Sequence, residues 1–508
     1  MEKAASILAN LDTLPDELIL GILDYISIED YASLRALNAT NWHLHRLTVD
    51  RLYSRFPGRA PEQFLRAVVL PPSDERTTLA NHVNEVVWWT HDHWTRQARG
   101  RCLSLGDRHL LANKLRSSGC ILNVTDPSLD LPRRFIGFSA EYEVHWWYLE
   151  FFLFFTPKVQ KLVVHDVWHW DDHTYWFENL AANPERFENL KSITLCGPLR
   201  LENVVPLLTL PSIRNMELTQ VISMRQEPGR EFSWTNDRDR YLERRLPAGG
   251  SSLEHLTLRD SHIYFKKLGG ELSALRNLKS FTYDHLKNEL GPSELSTYAF
   301  PVLGSLLPRE GSSLEYLRIR DDCLANVSQS DLIDTLTTRC FGGNVSADVK
   351  NLAFGKIHTL DIGPCNFGFL HTSDSTILGA VRHFAQCLPT TLETLRMQWQ
   401  YQYINVWEDR MYRLQVFIDF LRLLAPAAVS ACPNLKEVAL VDWPALVGWF
   451  PLPAEVTELQ RTYEEVGITF KVIYEEIQGA EPLEVLIDVE PGWLWVQETE
   501  AFERNVCY

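Results

Sequence analysis

One short pattern returns along most of this chain and constrains its fold more than any other feature. An aliphatic residue, two variable ones, an aliphatic or aromatic one, one variable and another apolar make up the unit. It occurs at Val83-Val86-Trp88, Val159-Leu162-Val164, Leu190-Ile193-Leu195, Ile213-Met216-Leu218 and Leu253-Leu256-Leu258. It continues at Leu278-Phe281-Tyr283, Leu314-Leu317-Ile319, Ile357-Leu360-Ile362, Leu392-Leu395-Met397 and Leu435-Val438-Leu440. Alternation over the last positions is the spacing of a strand with one face buried. A strand that recurs in this way implies units that bury their apolar residues by stacking on their neighbours. Several copies share more than the apolar positions: SSLEHLTLRD from Ser251, SSLEYLRIRD from Ser312, TTLETLRMQW from Thr390 and PNLKEVALVD from Pro433.

The pattern resembles the strand segment of leucine-rich repeats, each of which contributes one short parallel strand and a returning helix or loop. Those repeats ordinarily run about 20 to 29 residues, whereas most copies here lie further apart and often lack the asparagine. The returning segments must therefore hold whole helices, such as Ser330 to Thr338 and Val406 to Ala425. The expected fold class is α/β, with residues 81–475 forming an irregular solenoid of parallel strands and helical returns. A mixed α/β domain whose strands share a common pattern is the alternative.

On stacked strands the residues between and just after the apolar positions share the other sheet face. That face would carry Trp89, Arg259, Arg318, Arg320, Arg396 and Gln398, and these are the candidate residues for holding a protein client. Guanidinium groups on neighbouring strands suit an acidic or phosphorylated partner, because they pair bidentately with such anions. Asp284, Asp361 and nearby carboxylates could instead neutralise them. The charged stretch Arg225 to Gly250, with Phe232 and Trp234 embedded, reads as a long loop.

Residues 13–53 have a different character. Asp16 and Glu17 place negative charge near a helix start at Pro15, and Leu18, Ile19, Ile22, Leu23 and Ile26 follow at helical spacing. Ser27 with Asp30 has the form of a second N-terminal cap, ahead of an apolar face through Tyr31, Leu34 and Leu37. A third runs through Trp42, Leu44, Leu47 and Leu52. Three short helices of this kind carry more apolar surface than so small a unit can bury alone.

The segment resembles an F-box: Leu14-Pro15, Glu17-Leu18, Ile22-Leu23, Tyr25-Ile26, Asp30, Leu34-Arg35, Leu37-Asn38 and the Leu44 to Leu47 turn match its pattern in order. It covers a small fraction of the chain. The resemblance implies that residues 1–58 form a helical module docking on a Skp-type adaptor, and through it on a cullin scaffold. Leu14, Pro15, Leu18, Ile22, Leu23, Ile26, Leu34 and Leu37 are the residues carried over as adaptor-binding. Residues 59–80 would be a helical linker and 476–508 an acidic C-terminal segment. The whole would then be a substrate-recognition subunit of an SCF-type ubiquitin ligase, presenting a client for modification by partner enzymes and not itself an enzyme. A scaffold that binds proteins without promoting ubiquitination is the alternative.

A formal charge of −17 disfavours nucleic acid or an anionic membrane as the general partner. The longest apolar run, Trp146 to Phe155, is interrupted by Glu150 and falls short of the ~20 residues of a membrane span. The N-terminus offers only Ile7-Leu8-Ala9 as apolar sequence, so a cytoplasmic or nuclear location is expected. Nine cysteines without a Cys-x-x-Cys pair fit reduced thiols. His165, His169 and His173 lie four residues apart with Asp166, Asp171 and Asp172 among them. Three such histidines could ligate zinc in a metal-dependent hydrolase, but His165 closes an expected strand and the spacing matches no known metal motif. No cofactor or metal ligand set is assigned, nor any catalytic residue.

Overall fold

The computed structural model describes residues 14–26, 30–56, 64–66, 77–89, 104–117, 144–165, 167, 175–222, 251–261, 263 and 275–285. It further describes residues 313–320, 356–362, 378–379, 381–382, 384–385, 388–398, 407–441, 453–474 and 483–484. The chain divides into two compact units, residues 1–222 with 226–253, and residues 223–225 with 254–508.

The first unit opens with three helices, α1 (Asp16–Tyr25), α2 (Tyr31–Thr40) and α3 (Trp42–Ser54). Pro15 is the residue just before α1, one position earlier than its sequence context suggests, and its carbonyl accepts the Leu18 and Ile19 amides. Asp30 itself caps α2, its side chain accepting from the Ser33 amide at 3.1 Å. Those hydrogen bonds from Ser33 hold its carboxyl below the usual range. Asn41 caps α3 through the Leu44 amide at 2.8 Å, a start signal absent from the sequence expectations.

α3 runs directly into β1 (Arg55–Phe56), which pairs parallel with β2 (Glu85–Trp89). Between them, α4 (Thr77–Ala80) lies in the expected linker. Strands β3 (Lys161–His165), β4 (Ser192–Arg200) and β5 (Asn215–Ile222) follow in chain order, each parallel to the one before. The returns hold α5 (Leu105–Ser117), α6 (Val144–Phe155), α7 (Tyr175–Ala182), a short 3-10 turn (Pro184–Phe187) and α8 (Leu201–Leu208).

The second unit repeats the scheme with β6 (His255–Ser261), β7 (Ser280–His285), β8 (Tyr316–Arg320), β9 (Thr359–Ile362), β10 (Thr394–Gln398), β11 (Glu437–Val441) and β12 (Thr469–Tyr474), again parallel and sequential. Long helices fill its last returns: α9 (Trp407–Ala431), which covers the expected helix Val406 to Ala425 from its second residue on and runs six residues further, and α10 (Pro453–Glu464). The expected helix at Ser330 to Thr338 and the loop Arg225 to Gly250 lie outside the described residues. β13 (Leu483–Glu484) reverses direction and pairs antiparallel with the end of β12. The architecture is therefore α/β and solenoid-like, with parallel strands in chain order, flanking helices and a sheet that does not close into a barrel.

The recurring pattern explains the register. Every apolar position from Val83 to Leu440 is buried. Its second apolar residue pairs with the equivalent residue of the next strand: Val86 with Leu162, Leu162 with Ile193, Ile193 with Met216, and likewise Leu256, Phe281, Leu317, Leu360, Leu395 and Val438 along the second unit. The residue after the first apolar position carries a carbonyl that accepts two amides of the next strand. Gln160 takes the Lys191 and Ser192 amides at 2.8 and 3.0 Å, and Lys279 takes those of Glu315 and Tyr316 at 2.7 and 3.0 Å. A one-residue slip would turn the whole apolar set to the wrong face, so the pattern and these bonds specify one register.

β12 escapes the sequence pattern because Gly467, in a left-handed conformation at φ +79, occupies the first apolar position. Phe470 and Val472 nevertheless align with Val438 and Leu440.

Candidate functional site

α1 is apolar on two sides. Ile19 and Leu23 point inward and are buried with Leu34 of α2 and Leu44 of α3, and Leu14, Ile26, Leu37, Leu47 and Leu52 pack around them. Leu18, Ile22 and Tyr25 recur at i, i+4 and i+7 on the outer side and are 56%, 44% and 93% exposed. Pro15 and Leu20 are exposed beside them. Of the eight residues carried over as adaptor-binding, Pro15, Leu18 and Ile22 thus lie on the surface. Leu23 and Leu34 lie in the module's own core, and Leu14, Ile26 and Leu37 pack partly buried against it. Leu20 and Tyr25 join the exposed set; the seven-residue spacing from Leu18 to Tyr25 is the signal that finds the latter. Ion pairs fix α1 on α3: Asp16 meets Arg46 at 2.9 Å and His43 at 3.2 Å, and Asp24 meets Arg51 at 2.9 Å.

The sheet face away from the core carries the client candidates. Adjacent tryptophans point to opposite sides of β2, as alternation requires: Trp88 is buried in the core, and Trp89 is 37% exposed on the far face. Its indole stacks on the neighbouring His165 ring, with centroids 3.9 Å apart and planes within 18°. Cys196 and Thr219 continue on β4 and β5.

In the second unit the expected basic stripe is interleaved with acid. Arg259 is exposed. Arg318 makes a two-point ion pair with Asp284, Nε to Oδ1 at 3.0 Å and Nη2 to Oδ2 at 3.3 Å. Asp361, fully buried, lies in register between Arg318 and Arg396, with an oxygen 4.0 Å from the Arg318 Nε. Arg320 and Gln398 end β8 and β10, and their side chains lie outside the described residues. The arrangement neutralises part of the basic charge through Asp284 and Asp361, carboxylates on the adjacent strands.

His165 is thus a stacking partner of Trp89, while Asp166, His169, Asp171, Asp172 and His173 lie outside the described residues. Among the described residues no group of three His, Cys, Asp or Glu side chains is placed to hold a metal ion. Cys432 is buried, which pushes its thiol up to about 11 and makes it a poor nucleophile at neutral pH. Glu150 is a charged residue type enclosed by the apolar α6; burial pushes its carboxyl up to about 7 against the opposing hydrogen bond from Asn179. No helix among the described residues is long and apolar enough to cross a membrane. No family model matches the chain, and no curated protein matches it.

Proposed function

We propose that this chain is a protein-interaction scaffold, in which a helical module and a repeat sheet each meet another protein and the chain does no chemistry of its own. One observation carries the reading: α1 fills the module's core with Ile19 and Leu23 while holding Leu18, Ile22 and Tyr25 out to solvent at helical spacing. An apolar stripe on a helix whose opposite face is already packed has the form of a docking surface for an amphipathic partner.

A second, narrower reading rests on where that stripe lies. It falls inside the F-box-like segment, next to Leu14-Pro15, so the partner would be a Skp-type adaptor and the chain a substrate-recognition subunit of a cullin-based ubiquitin ligase. It would act by raising the effective concentration of a client held on the sheet. Co-expression of the full chain with a Skp-type adaptor and a cullin distinguishes the two. The ligase reading expects one complex containing all three, lost in a Leu18→Asp, Ile22→Asp variant. Adaptor bound without cullin, or no adaptor bound, leaves the scaffold reading alone.

A further inference from the structure

Gly21 stands in the interior of α1, where glycine loses more freedom on folding than any other residue and supports the helix less well than alanine. The fold of the chain gives no reason for it. Its φ is not positive, and a Cβ at this position would meet nothing within 4 Å beyond the helix's own backbone. Alanine would fit without strain, so the missing side chain answers to something that approaches α1 from outside.

The residues around it form a hole. Leu18, Gly21, Ile22 and Tyr25 lie at i, i+3, i+4 and i+7, the four positions that frame the seat of one side chain from a packed helix. Three of the four hold apolar side chains out to solvent, and the fourth has none. The hole is therefore apolar at its rim and open down to the helix backbone at Gly21, which lets a bulky side chain come close. Its surroundings set the charge of what enters. At about 100° per residue, Glu17 and Asp24 fall on the Gly21 side of the stripe, while Ile19 and Ile26 on the other side pack into the module. Both acids are exposed, and Asp24 keeps 75% of its side-chain surface in solvent even while it meets Arg51. The sequence of α1, DELILGILDY, holds no basic residue to offset them.

We propose that Gly21 is the seat for one large aliphatic or aromatic side chain of a partner protein's helix, and that this helix carries lysine or arginine beside that side chain, facing Glu17 and Asp24. The inference rests on α1 being a docking surface and adds the chemistry of what docks there.

A displayed library of helical peptides, selected on the full chain, tests it. Free Gly21→Ala should melt at or above the parent's temperature, because the added methyl has room and favours the helix. A lower melting temperature would show that the fold needs the glycine and would overturn the proposal. Peptides that bind the parent but not a folded Leu18→Asp, Ile22→Asp variant are expected to share one large apolar residue flanked by Lys or Arg. Their affinity for Gly21→Ala should fall about tenfold or more. Such peptides binding Gly21→Ala as tightly as the parent overturn the seat and leave α1 standing as the docking surface. The preference for Lys or Arg should weaken in a Glu17→Gln variant; if it persists unchanged, the net charge of the whole chain sets it and the assigned facing is wrong. Recovery of no peptide that depends on Leu18 and Ile22 sinks the docking reading and this inference with it. Sedimentation of the parent alone covers a different occupant: self-association abolished by Gly21→Ala would give the seat to a second copy and overturn the basic partner.

Discussion

Three residues that follow the strand pattern at the same repeat position, Gly197, Gln220 and Asp260, all have positive φ, at 138°, 62° and 45°. On the β4–β5 and β6–β7 pairs the register shifts across Gly197 and Asp260, so these two sit in a bulge that redirects their strand. At Gly197 the requirement is absolute in practice. A Cβ there would lie 2.2 Å from the Val167 carbonyl oxygen and 2.6 Å from its nitrogen, and the Val167 amide donates to the Cys196 carbonyl at 2.9 Å. Gly197→Ala should therefore cost about 3 kcal/mol, combining backbone strain with an unrelieved backbone clash, read as a lowered denaturation midpoint. The glycine is plain in the sequence, but the approach of Val167 that demands it is not.

Glu150 is a second case decided by surroundings. Its folded carboxyl titrates at about 7, above the ordinary 4.5. The stability it contributes is full below the ordinary value and is lost as pH rises through about 7. Glu150→Gln keeps an acceptor for Asn179 and removes the titration. The variant should match the parent near pH 5 and exceed it at pH 8 by on the order of 3 kcal/mol, seen in paired urea melts. Equal pH dependence in the two proteins would count against a neutral buried carboxyl.

At the scale of elements, the two sides of α1 separate folding from binding. Leu23→Ala removes a side chain from the module's closed core and should destabilise it by roughly 2–5 kcal/mol, whereas Leu18→Ala should leave thermal stability within about 0.5 kcal/mol. Circular dichroism melts of the two variants check this. Helical periodicity announces α1, since Leu18, Ile19, Ile22, Leu23 and Ile26 all fit it. It does not say which side faces inward, because the stripe is wide enough for either; packing against Leu34 and Leu44 makes that choice. The strands β2 to β11 were legible because each carries the same three apolar positions. β1 and β13 are two-residue strands with no pattern to show, and β12 has a glycine where the pattern begins. The arginines of the far face were legible as a set, but the Asp284 pairing that ties up Arg318 depends on two strands lying side by side.

At the scale of the whole molecule, the helical module and the sheet of the first unit are joined through continuous structure. α3 passes without a break into β1, the Asn84 amide donates to the Ser54 carbonyl at 2.8 Å, and His82 pairs with Asp50. Phe56 is the pivot: fully buried, it packs on Phe64, Trp88 and Phe152, with centroids 4.6 Å apart for the last. A partner held on α1 would thus be held at a set orientation to β2 and β3. Phe56→Ala should cost about 3–5 kcal/mol and loosen helix and strand amides together in hydrogen exchange. Loosening of the helices alone would mean that the two fold separately.

The sequence by itself determined a recurring half-buried strand and an amphipathic helical module, because those follow from periodicities of two and 3.6 that any stretch of chain displays locally. That the strands run parallel was implied only by the likeness to leucine-rich repeats, and pairing between distant segments sets it and the register. Only the tertiary structure decided which side of α1 is left exposed and how far basic charge on the far face is neutralised. Each of these depends on which residues distant in the chain become neighbours, and no local spacing encodes that.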